Sequence, residues 1–118
     1  MMRLIHHTTR HALKNIIEDG ELVPVYDCVW FTLDARGEMT AGATMPSEHR
    51  ARIVVEVPDD MVSWFHDVHE EFPHLNLGML NLITDTSVWY ISDEPIPSKY
   101  FVSTDVMNEN NEWINYEN

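Results

Sequence analysis

A chain of 118 residues, 44% hydrophobic and 23% charged, has the size and composition of one globular domain. Its formal charge is −13, and six of its seven Lys and Arg precede residue 53, which argues against direct binding of nucleic acid, because a phosphate backbone calls for clustered cations. Cys28 is the only cysteine, which excludes an intrachain disulfide and a thiolate zinc site, and no apolar run approaches the roughly 18 residues of a membrane span.

In chain order, the opening MMRLIHHTTRH holds no apolar stretch of signal-peptide length, so a cytoplasmic protein is expected. Residues 2–6 read as a short edge or opening strand. Thr8 or Thr9 then supplies a helix N-cap. Ala12, Leu13, Ile16 and Ile17 share one helical face, and Gly20 stands where a left-handed C-terminal cap belongs. Leu22 to Val25 is a loop with two apolar anchors. CVWFT (28–32) is a buried strand, rich in aromatic and β-branched residues. Residues 33–48 read as a loop with room for one helical turn, and ARIVVEV (51–57) as a strand closed by Pro58. Asp59 or Asp60 can cap a helix whose apolar stripe is Met61, Val62, Phe65, Val68 and Phe72. Leu75 to Ile83 reads as a second short helix. VWYIS (88–92) is a strand, PIP a turn, and Tyr100 to Val102 a final short strand. The Asn- and Glu-rich tail is pinned by Trp113 and Tyr116. Strands at both ends with helices between them predict a single α+β domain over residues 1–118 with a mixed sheet, not a doubly wound parallel one.

Thirteen of the twenty acids lie beyond residue 52, against one base, Lys99. This half is either a solvated acidic face or a surface that docks on a basic partner protein.

LIHHTT, a capped helix and then IIEDGEL resemble the Y-H-x-T, helix, G-x-L opening of ADP-ribosyltransferase-like domains. Those domains follow with an aromatic second strand, matched here by CVWFT, and a Leu-Leu-Cys-Glu-Val type strand, matched by IVVEV. Near their end a strand runs into a Val/Ile-Pro turn, as Val88 to Pro97 does. The resemblance spans most of the chain in short motifs. It implies a small mixed sheet in two halves with a few short helices, and NAD held in the cleft between the halves.

By that resemblance His6 hydrogen-bonds the nicotinamide ribose, and an imidazole offers both a donor and an acceptor for this. Trp30 stacks on the nicotinamide ring, Thr8 or Thr32 adds a hydroxyl, and Arg10 or Arg36 meets the pyrophosphate. The family carries a catalytic Glu on a late strand, but Ser87 to Ile91 contains no carboxylate. Glu94 or Asp85 would have to supply it, with Asp93 beside them. The resemblance implies an NAD- or nucleotide-binding ADP-ribosyltransferase-like protein, with mono-ADP-ribosyl transfer to a macromolecular target as the activity it would carry. The alternative is a catalytically inactive, acidic inhibitor-type protein that docks on a basic surface of a partner.

Other residues have plainer readings beside their sharper ones. His6 also fits a hydrogen-bonded strand-end histidine, and Trp30 ordinary core. His66, His69 and Glu70 share helical spacing, as do His7 and His11, yet neither set is a known metal motif and no metal is expected. Cys28 reads as a small buried hydrophobe, since no cation adjoins it in sequence.

Overall fold

Strand β1 runs farther than its apolar opening suggests, over Met2–Thr9. The reason lies in its partner: all eight residues pair with Arg50–Val57 (β4), from Met2 opposite Val57 to Thr9 opposite Arg50. The computed structural model describes residues 1–24, 28–33, 49–71 and 86–116. The predicted loop at 33–48 beyond Leu33, the predicted helix at 75–83, Arg36, His74 and Asp85 lie outside the described residues.

Thr9 ends β1 and caps α1 (Arg10–Asp19), its Oγ1 accepting from the Ala12 N–H at 3.1 Å. Gly20 stops the helix at φ 76°, a left-handed conformation in which its N–H reaches the Ile16 carbonyl at 3.0 Å. Two short strands follow, β2 (Glu21–Leu22) and β3 (Val29–Thr32).

The helix expected from Met61 to Phe72 does not form as one unit. Asp59–Met61 is a single 3-10 turn, preceded by Pro58 with no side-chain cap. Ser63–Trp64 (β5) then pairs with the sheet, Phe65–Val68 (α2) makes one helical turn, and a second 3-10 turn covers His69–Glu71. Cross-strand pairing has overridden the helical stripe. Trp64 aligns with Tyr90, and Phe65, fully buried, drops between Trp30 and Trp89 at ring distances of 5.4 and 5.5 Å.

The later strands are β6 (Trp89–Ser92), β7 (Ile96–Pro97), β8 (Phe101–Met107) and β9 (Trp113–Asn115). The PIP segment is thus a strand as well as a turn. Ile96 and Pro97 pair with Leu22 and Glu21, and the Ser98 N–H donates to the Gly20 carbonyl at 2.9 Å. The final strand does not stop at Val102 either. It reaches Met107 because Asp105, an unlikely strand residue by propensity, is neutralised by Arg52 at 2.8 Å. A turn at Asn108–Asn111 then sends β9 back along β8. The Asn108 Oδ1 accepts from the Asn110 and Glu112 N–H groups, and Asn111 takes a positive φ of 61°.

Among the described residues seven strands form one sheet in the order β5-β6-β3-β1-β4-β8-β9, and β2-β7 form a separate pair. Every described pairing is antiparallel, so the chain is α+β with a mostly antiparallel sheet and few helices. One face of the sheet carries the core. Leu4, Val29, Phe31, Ile53, Val55, Val57 and Val106 pack there under Leu13 of α1 and the Leu22–Ile96 pair. Burying each such side chain stabilises the fold by about 1.5–3 kcal/mol.

Candidate functional site

The sheet narrows to a single point between β1 and β3. Ile5 opposite Thr32 is the one aligned pair there, whereas β1 and β4 align along their full length. On one side of this seam stand β5, β6 and β3, on the other β1, β4, β8 and β9. Past Ile5 a side chain takes over from the backbone ladder: the His6 Nδ1 lies 2.8 Å from the Trp30 carbonyl oxygen.

That contact settles the chemistry of the ring. A carbonyl only accepts, so Nδ1 carries the proton and donates it, leaving Nε2 as a lone-pair acceptor in the neutral imidazole. Nε2 has no hydrogen-bond partner among the described residues. The ring also meets Phe31 edge-on at 6.0 Å. It is surrounded by protein although the residue keeps some surface. Desolvation therefore pushes its pKa below the ordinary 6.5, and the bond to Trp30 opposes this only in part.

Strand geometry separates the residues that the resemblance groups together. Successive side chains leave opposite faces of a sheet. His6 and Thr8 align with Ile53 and Ala51 on the core face, and Phe31 of β3 lies on that face too. Thr32 aligns with Ile5 on the other face, and Trp30, two residues before it, shares that face. The Trp30 ring packs at 5.7 Å from Trp89 and beside Phe65. His6 thus meets the Trp30 backbone and not its indole, so the two side chains do not form two walls on one face.

The remaining expected residues are dispersed. The Arg10 Nη2 donates to the Met107 carbonyl at 2.6 Å and ties the start of α1 to the end of β8. Thr32 is buried. Glu94 is exposed on the turn after β6, where the Ser92 hydroxyl donates to the Glu94 carbonyl at 2.9 Å. No described hydrogen bond or ion pair links its carboxylate to His6. Cys28 is buried, and among the described residues no three His, Cys, Asp or Glu side chains converge as metal ligands would.

A polar cluster that sequence reasoning missed lies on the face opposite the core. His7, Arg52, Asp105 and Asn115 align across β1, β4, β8 and β9. Arg52 and Arg50 hold their guanidinium carbons 4.7 and 5.5 Å from the Trp113 ring centre, and the His7 ring lies at 5.7 Å. The Arg-x-Arg alternation in β4 was the available signal, since two residues two apart in a strand share a face.

Comparison with protein-family models, with curated proteins and with solved structures finds no match for this chain. A neutral imidazole fixed by one nitrogen can accept a proton or a hydrogen bond at the other, and it suits a hydroxyl or N–H donor better than an anion.

Proposed function

We propose that this chain binds NAD or a related nucleotide at the β1–β3 seam, as a divergent ADP-ribosyltransferase-like protein. The observation that carries the reading is His6, held across the seam by Nδ1 with its Nε2 left as an acceptor. A ribose hydroxyl is a fitting donor to that nitrogen. Supporting it, the four segments that carry the family resemblance, VWYIS, CVWFT, LIHHTT and IVVEV, belong to β6, β3, β1 and β4, which are neighbours in that order. Trp30 contributes its carbonyl and the aromatic packing behind the seam, in place of the stacking role expected from sequence. Transfer of ADP-ribose to a macromolecule asks for a carboxylate as well, and Glu94 is its described candidate.

The expected outcome is a rise in melting temperature with NAD, since a ligand that binds only the native state stabilises it by mass action. At about one hundred times the dissociation constant the gain is about 2.7 kcal/mol. His6→Asn separates binding from structure. Its amide still donates to the Trp30 carbonyl but offers nothing at the position of Nε2, so the fold should survive and the NAD shift should vanish. Flat melting curves up to millimolar NAD and ADP-ribose would overturn the reading. Labelling of lysate proteins with tagged NAD, lost in Glu94→Gln, would extend it to catalysis.

A second reading, an acidic protein that docks on a basic partner, is favoured by a separate observation. Asp59, Asp60, Asp67, Glu70 and Glu71 are all exposed, within a stretch from residue 53 to 98 that holds no Lys or Arg. Association of that kind weakens steeply with salt, because charge attraction is screened within about 8 Å at physiological ionic strength.

A further inference from the structure

We infer that the β5 edge of the sheet is a docking surface for an extended Lys/Arg-rich segment of a partner protein, with Trp64 as its anchor. The inference rests on the docking reading above and supplies its surface and occupant. It does not depend on the nucleotide seam.

Among the described residues β5 is the outermost of the seven strands, with β6 beside it. Its Trp64 is 37% exposed, unusual for the largest apolar side chain, and it is held in place instead of being loose. The indole N–H donates to the Ser87 carbonyl at 2.8 Å, and the ring lies 4.8 Å from that of His66 at an interplanar angle of 32°. The next carbonyl, that of Val88, accepts from the Leu33 N–H at 3.0 Å, and Leu33 is itself 47% exposed. The Trp64 indole N–H and the Leu33 backbone N–H thus donate to consecutive carbonyls of one turn, Thr86–Val88. An indole fixed by a hydrogen bond and left partly exposed at a sheet edge is how interface anchors are built.

Charge selects the occupant. The exposed acids Asp59, Asp60, Asp67, Glu70 and Glu71 lie within seven residues of Trp64 in sequence, on the short elements that flank β5. A second copy of this chain, also at −13, would be repelled. Nucleic acid would be repelled for the same reason. A Lys or Arg side chain gains twice here, from the carboxylates and from the face of the indole, and an extended backbone can lie along the short edge strand.

The test uses the whole chain and a fluorescein-labelled peptide of alternating Arg and Gly, followed by anisotropy at 150 mM salt. Trp64→Ala and Leu33→Ser should each weaken binding about tenfold or more, and so should the triple change Asp67→Asn, Glu70→Gln, Glu71→Gln. Glu109→Gln with Glu112→Gln, exposed at the β8–β9 turn, should leave it unchanged. The triple variant and Leu33→Ser touch only exposed side chains, so a folding defect in Trp64→Ala would not blunt the test. If every acid neutralised counts equally and both apolar changes are silent, the attraction is diffuse. Docking then survives and this surface does not. If no peptide binds at 150 mM salt, both the surface and the docking reading are overturned.

Discussion

A histidine that gives its Nδ1 proton to a carbonyl has one nitrogen left with which to do anything else. In His6 that commitment also decides how the protein responds to acid. Burial sets its folded pKa below the 6.5 of the unfolded chain. Between the two values the unfolded chain takes up a proton that the folded one refuses, so stability is complete above about pH 6.5 and falls as the pH drops below it. Urea melts from pH 7.5 to 5.5 should show this loss in the wild type and a shallower one in His6→Asn. His6→Ala should cost about 1–3 kcal/mol at neutral pH, because the Trp30 carbonyl would lose its donor. Flat stability across that range in both proteins would mean that the ring is not held neutral. The sequence made His6 conspicuous but not its partner. Whether His6 and Trp30 face each other depends on the register of two strands more than twenty residues apart, and a shift of one residue exchanges the faces.

At the scale of elements, legibility followed how local the controlling interactions are. Helix α1 was readable because Thr9, the Leu13 stripe and Gly20 act within a few residues of one another. Strand β4 was readable from its apolar run. The segment from Asp59 to Glu71 was not, since its stripe has helical spacing and only the Trp64–Tyr90 pairing, remote in sequence, turns part of it into strand. The end of β8 was hidden in a similar way: Asp105 reads as loop until Arg52 is brought opposite it. That pair is largely buried, so its removal should be one-sided. Asp105→Ala leaves a mostly buried guanidinium without this carboxylate and should cost about 3 kcal/mol, whereas Arg52→Met with Asp105→Leu should recover much of the loss. A double-mutant cycle in urea measures the coupling. Additive single effects would show that the ion pair does not hold β4 to β8.

Over the whole molecule, the charge of −13 acts against compactness through self-repulsion. Raising sodium chloride from about 20 to 300 mM at pH 8, which shortens the screening length severalfold below the molecular width, should raise the melting temperature by a few degrees. A melting temperature that falls with salt would mean that favourable ion pairs such as Arg52–Asp105 and Arg3–Glu56 outweigh the repulsion. The strand order has a different consequence, one of timing. The first strand lies near the middle of the sheet, its long partner β4 begins at Arg50, and β4 gains its other neighbour only at Phe101–Met107. A ribosome adding about 5–20 residues per second therefore extrudes β1 several seconds before β8 is complete. Through that interval the edge of β4 that β8 later covers stands open, so the nascent sheet carries an apolar edge on which another chain can pair.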